Sequence, residues 1–284
     1  IGVGVPGVVA RPDVGEVDAD VLGWSGMPLG SALRSATRLP VLIENDVKAL
    51  AVAERLYGRA RALRSFVVVT IGRGVGFACV ADGALRRGAH GGAGELAHVV
   101  VTSGGPSCAC GQRGCLEAYA GAEGLAAAAR SAGVLRHGQG VAELAALADG
   151  GGGGGAGGGG GGGDHTAQAA REIFSRAAQR LAEALVPALS ALDPEAVIVA
   201  GEGTASWRHW DGAFRKTLAK RLPVAMRDIA VEVDDWDESS WARGAAAIVL
   251  ATPFDRHALA GRQRPQVLAR LHGADEEKLA SAGW

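Results

Sequence analysis

Residues 94–117 read GELAHVVVTSGGPSCACGQRGCLE. Three of the chain's four cysteines, Cys108, Cys110 and Cys115, sit in this stretch, with His98 upstream of them. One imidazole and three thiolates are a donor set for tetrahedral zinc, and four protein ligands leave no position for a catalytic water. Gly104, Gly105, Gly111 and Gly114 give a short loop the backbone freedom to close round an ion. A Cys108–Cys110 disulfide is disfavoured by the strain of so short a ring. The competing reading is a cluster of free buried thiols.

The rest of the composition narrows the field. The chain has 284 residues, is 48% hydrophobic and carries a net charge of −1. That is a globular composition with length for two lobes and a sizeable core. A near-neutral balance lacks the basic footprint of a nucleic-acid or anionic-membrane surface. No apolar run approaches the roughly 20 residues of a membrane span, and no signal peptide opens the chain, so a cytoplasmic location is expected. The opening IGVGVPGVVA has no initiator methionine and reads as a buried strand already under way, ending at Pro6-Gly7. The chain is accordingly expected to be a piece whose N-terminus lies upstream.

Strand and helix signals alternate along the sequence, which argues for an α/β architecture. VLIEND predicts a buried strand whose polar end meets a helix, NDVKALAVAERLYG, with Val47, Leu50, Ala51, Ala53 and Leu56 as its apolar face and Gly58 as its stop. SFVVVTIG and GVGFACVADGALRRG predict paired strands, with Asp82-Gly83 as a turn. Cys79 reads as a core residue, and Arg86, Arg87 and His90 as a solvated turn or an anion site. Helices rich in alanine and leucine follow to about Leu147. Residues 150–163, glycine except for Ala156, predict a flexible surface loop. Beyond it come a long amphipathic helix, a strand and tight turn in DPEAVIVAGEG, a strand in AVEVDDW and a buried helix in SSWARGAAAIVLA. The charged tail after Arg262 predicts a surface helix.

The motif from Gly94 to Glu117 resembles the signature of the ROK family, named for repressors, open reading frames and sugar kinases. GVGVPGVV, GWSGMPLG and IENDVKALAVAE resemble the family's sugar-binding lobe. DGALRRGAHGGAGELAH and DPEAVIVAG resemble its second lobe. The resemblance implies an actin-like ATPase (ribonuclease H-like) fold of two α/β lobes around a cleft, the first lobe incomplete here. Residues 1–62 would be the remainder of the first lobe, with about 242–284 packing back on it. Residues 63–241 would form the second, carrying the zinc loop and the dimerisation region. Family members usually form dimers or larger assemblies, so a homodimer or homotetramer is expected.

A hexose needs a ring of polar side chains, because each buried hydroxyl left unpaired is costly. Glu44, Asn45, Asp46, Glu95, His98 and Glu117 are the candidates. The resemblance implies that Asn45 and Asp46 grip the far hydroxyls, with Asp46 as the general base in a kinase. Glu95, His98 and Glu117 would hold the edge near the anomeric carbon, His98 binding zinc through its other nitrogen. The bland alternatives are that Asp46 caps a helix and that Glu117 is a favourable charge at a helix start.

Phosphoryl transfer also needs glycine-rich turns that admit phosphates, and a magnesium ion. Gly72, Gly74, Gly76, Gly201 and Gly203 are the candidate nucleotide-binding positions. Arg73 stands where the kinases usually have a small hydroxyl residue, and Glu202 where they usually have glycine. These two residues could oppose a nucleotide, or could pair with each other. The kinases' first phosphate segment, of Asp-x-Gly-x-Thr type, has no counterpart in these residues. The departures, together with DDWDESSWARGAAAIVLATPFD, look more like the family's actinobacterial regulators, which carry a winged helix-turn-helix ahead of the sugar lobe. The expected function is sugar-sensing control of DNA binding through that preceding domain, with zinc as the structural ion. The alternative is a hexose kinase using ATP and magnesium. A degraded gene remnant is a third reading.

Overall fold

A computed structural model describes residues 1–151, 162–253 and 260–272. Most of the predicted glycine loop at 150–163, and the tail beyond residue 272, lie outside these residues. The first part of the chain runs β1 (Gly2–Val5), β2 (Val17–Ala19), β3 (Trp24–Met27), α1 (Leu29–Thr37), β4 (Leu42–Asn45) and α2 (Asp46–Leu56). Next come β5 (Phe66–Ile71), β6 (Val75–Ala81) and β7 (Ala84–Leu85), then α3 (Glu117–Ala120), α4 (Ala122–Ser131), α5 (Val141–Ala148) and α6 (Gly162–Leu192). The chain finishes with β8 (Ala196–Ala200), α7 (Asp211–Arg221), β9 (Ala230–Val233), α8 (Ser240–Leu250) and α9 (Arg264–Leu271).

The central sheet has the order β7-β6-β5-β8-β9. β5 is antiparallel to β6 and parallel to β8, and β9 continues parallel to β8. Every residue of β5 is buried, because helices cover both faces of this sheet. Alternation of period two splits its side chains. Val67, Val69 and Ile71 join the core beneath α4–α7, whereas Phe66 and Val68 meet Val47, Leu50 and Ala51 of α2 on the other face. The predicted Asp82-Gly83 turn forms between β6 and β7 with both residues at positive φ, 54° and 76°, the backbone that a two-residue hairpin turn requires.

β1 pairs in parallel with β4. It was expected to be a buried strand, yet only Val5 is buried, while Gly2, Val3 and Gly4 are partly exposed. α8 packs on both α2 and β1, and small residues make the approach tight. A Cβ on Gly244 would stand 3.0 Å from the Leu50 nitrogen, and one on Gly2 would collide with the Ala245 carbonyl. Beyond α8, the buried Gln263 amide accepts from Val41 N–H (2.8 Å) and donates to Val41 C=O (2.9 Å), much as a neighbouring strand would. The described end of the chain thus fastens to the first part. α9 is not purely a surface helix, since it buries Val267 and Ala269.

Candidate functional site

The β4–α2 junction is built by a cap. Asn45 Oδ1 accepts from Lys48 N–H at 3.0 Å, satisfying one of the helix's open donors, and Asn45 Nδ2 donates to the Gly7 carbonyl at 3.0 Å. The helix therefore does not use Asp46 as its cap. Asp46 accepts one bond, from the Val47 N–H at 2.8 Å, and burial pushes its carboxyl up to about 6. The carboxylates of Glu95 and Glu202 push it the same way. Residues from three separate stretches thus share one acidic neighbourhood. A hollow of about 350 Å³ borders Asp46 between β1 and α8, with Gly4 and Trp241 in its wall. Glu95, His98 and Glu117 do not line it.

The cysteine loop is shaped by backbone bonds. Cys108 N–H donates to the Gln112 carbonyl, Gly114 N–H to Pro106, and Val101 N–H to Gly114. Gly114 has φ +80° and lies against Thr102 so closely that a Cβ would collide with the Thr102 carbonyl. The result gathers His98, Cys108, Cys110 and Cys115, whose ligand atoms all lie within 4.8 Å of one another. His98 Nδ1 is 3.6 Å from Cys108 Sγ, and Cys110 Sγ is 3.7 Å from Cys115 Sγ. Metal–sulfur bonds of about 2.3 Å in a tetrahedron put sulfurs roughly 3.8 Å apart, so the spacing fits a tetrahedral ion. Burial, reinforced by the hydrogen bonds that the Cys115 thiol donates to Cys110 and Cys108, raises it to about 12. A bound divalent ion would reverse this by favouring the thiolate.

Glu117 opens α3, and its Oε2 accepts from the Val75 N–H at 3.4 Å, at the turn joining β5 to β6. Gly72 and Gly74 belong to that turn, and the Gly72 N–H donates to the Gly74 carbonyl at 3.0 Å. Glu202 presses its carboxylate onto Gly72 from the other side. Arg73 is exposed, and no ion pair between Arg73 and Glu202 forms among the described residues. Gly76 is not in the turn; it lies in β6 opposite Thr70, where a side chain would strike Thr70 and Val47. Gly201, at φ +95°, and Gly203 pack on Ile71, so β8's turn meets the end of β5 through backbone alone.

Glu44 is placed differently from the other predicted site residues. Its side chain is 0% exposed; Oε1 accepts from Asn45 N–H at 2.9 Å and Oε2 lies 3.1 Å from Arg87 Nε. Burial raises its pKa to about 7 against the opposing pull of Arg87. Arg87 therefore belongs to the site's foundations and is not a residue of a solvated turn. Lys48 is likewise buried, donates to the Gly91 carbonyl and has a depressed pKa, chiefly through burial. Neither residue announces itself in the sequence, because a lysine in a helix and an arginine after a turn are ordinarily solvent-facing.

The ROK family profile matches residues 1–156. The chain belongs to the ROK family. A glucokinase of Halalkalibacterium halodurans is 34% identical over 203 residues, covering 71% of this chain and 60% of that protein. The Bacillus subtilis xylose repressor is also 34% identical, over 125 residues, covering 44% of this chain and 32% of the repressor. Among solved structures, a Streptomyces griseus ROK glucokinase in complex with glucose and AMPPNP superposes with TM-score 0.68 at 26% identity, covering 86% of this chain and 79% of that one. The chain thus spans about 60% of the first of these relatives and a third of the second, and kinases and a repressor are both among its kin. The mixed α/β architecture is the actin-like ATPase fold of ROK proteins. No helix among the described residues is long and apolar enough to cross a membrane.

Proposed function

We propose that the chain is the sugar-binding effector region of a ROK transcription regulator. A hexose or hexose derivative would meet Asn45, Asp46, Glu95, His98 and Glu117, with Glu44 standing behind them. His98, Cys108, Cys110 and Cys115 would hold a structural zinc ion; because Nδ1 faces the thiols, Nε2 is left for the ligand. Zinc, when bound, supplies charge neutralisation for the thiolates and a fixed loop. The protein would be a cytoplasmic homodimer or homotetramer that reaches DNA through an N-terminal winged helix-turn-helix, with sugar shifting the balance between two arrangements of the lobes or subunits.

The observation carrying the regulator reading is Glu202. Its carboxylate lies on Gly72, at the turn a nucleotide phosphate would approach, and adds to the charge already on Asp46. Two like charges 4 Å apart repel by about 4 kcal/mol at an effective dielectric constant of about 20. One observation favours the kinase instead: a carboxyl near 6 suits a general base working at neutral pH, and Asp46 has that value.

The test is calorimetric titration of the zinc-loaded protein with D-glucose, D-xylose and N-acetyl-D-mannosamine, alongside a coupled assay for ADP with magnesium and ATP. Sugar binding with no sugar-dependent ADP release is the expected result. Release of ADP that needs both sugar and Asp46 would make the chain a kinase. Binding of no sugar would sink both readings.

A further inference from the structure

The candidate site has two halves that come from different parts of the chain. Asn45 and Asp46 end β4 and begin α2; Glu95 and His98 lie on the segment that follows β7. Two buried contacts join these halves from behind. Glu44 Oε2 stands 3.1 Å from Arg87 Nε, the carboxylate wholly enclosed and the guanidinium 18% exposed. Lys48 donates to the Gly91 carbonyl. Between Arg87 and His98 the backbone is braced by its own turns: Ala93 N–H to the Arg87 carbonyl at 3.0 Å, Glu95 N–H to Gly92 and His98 N–H to Glu95. Gly91 is wedged against Val9 and Ala10, with no space there for a side chain. A shift of Arg87 is therefore passed on to Glu95 and His98.

We infer that Glu44 and Arg87 are positioning residues: their ion pair, with Lys48 on Gly91, sets the spacing between the Asn45–Asp46 half of the site and the Glu95–His98 half. The inference rests on the sugar-binding reading above. Neither Glu44 Oε2 nor Arg87 Nε makes a hydrogen bond, so the contact is held by charge. In a water-poor setting that attraction is strong, and losing one partner strands the other. Lys48 also faces Glu95 and Asp46, so the same cluster touches both halves electrostatically.

The experiment uses Arg87→Met, Arg87→Lys, Glu44→Gln and the double variant Glu44→Gln/Arg87→Met, all zinc-loaded. Two quantities are read: hydrogen exchange of amides 88–96 without sugar, and affinity for D-glucose. Arg87→Met should speed exchange across 88–96 and weaken glucose by roughly 10-fold, with zinc stoichiometry unchanged. Arg87→Lys should recover most of both, and the double variant should be no worse than Arg87→Met alone. Glu44→Gln, which keeps the shape, serves as the deciding variant if Arg87→Met does not fold. Unchanged exchange at 88–96 in Arg87→Met and Glu44→Gln alike overturns the latch. Normal latch behaviour in a protein that binds none of the three sugars overturns the ligand reading instead, and the positioning role with it.

Discussion

The cysteine loop and the β4–α2 junction both crowd ionisable groups together, but by opposite means. Around the loop, Cys108 and Cys110 are only partly covered, and short backbone bonds within 99–116 set the geometry. Cys115 is buried beside Leu116, a residue of the main core, whereas His98, Cys108 and Cys110 sit on partly exposed loop backbone. At the junction, Glu44 and Lys48 are buried between α2, β4 and the 87–91 turn, and the protein neutralises them with its own charges. On the proposal that the loop holds zinc, one region takes stability from a ligand and the other from the core. Disruption should therefore be local and metal-linked in the first, and spread through the fold in the second.

The largest expected effect breaks the first region. Cys110→Ser, or chelation of the native protein, should take zinc from one ion per chain to nearly none, measured by elemental analysis. Ligand loss in sites of this type removes a large share of local folding energy. Hydrogen exchange of 98–117 should rise while β5 and β8 stay protected, and glucose affinity should fall at least about 10-fold. Retained zinc would end the metal assignment.

Next comes Asp46, on the side of the junction proposed to face the sugar. Asp46→Asn should weaken glucose about 10- to 100-fold, the cost of one charged hydrogen bond, with zinc content unaltered. Equal affinity would mean that Asp46 contacts no ligand.

Glu202→Gly is a milder change and acts at the β5–β6 turn proposed to face a nucleotide. Removing that carboxylate should raise affinity for a magnesium–AMPPNP complex by about 10-fold and lower the pKa of Asp46 toward the ordinary range. An unchanged affinity would show that Glu202 does not guard the turn.

The smallest effect is a pH slope. Asp46 and Glu44 both have folded pKa values raised above the usual carboxylate range, to about 6 and about 7. A raised acid binds protons more tightly in the folded state, so its contribution is fully present near pH 4 and is lost as pH rises through about 6 to 7. At constant zinc saturation, Asp46→Asn should flatten the fall in stability between about pH 5 and pH 8 by about 1 kcal/mol relative to the native protein, read by urea denaturation. A parallel pair of curves would mean that Asp46 is solvated.

Much of this could be read locally. Four candidate metal ligands within eighteen residues declare themselves by type and spacing, and a loop that short brings them together whatever surrounds it. The alternation in Phe66–Ile71 and the Asp82-Gly83 turn likewise depend on neighbours in the chain. What escaped the sequence was long-range. Asp46 could be read as the helix cap until the backbone showed that it is the Asn45 oxygen that reaches Lys48 N–H. That Gly201 and Gly203 pack their backbone on Ile71, at least 130 positions away in sequence, likewise appears only in the fold.

The sequence by itself determined the ROK membership, the α/β class and the candidate metal ligands, because each is fixed by residue type at short separation. Only the tertiary structure decided that Glu202 lies on Gly72, that Arg87 neutralises a carboxylate 43 positions away, and that Lys48 is buried. Those outcomes turn on desolvation and on charges from distant segments. Both quantities exist only once the chain has closed on itself.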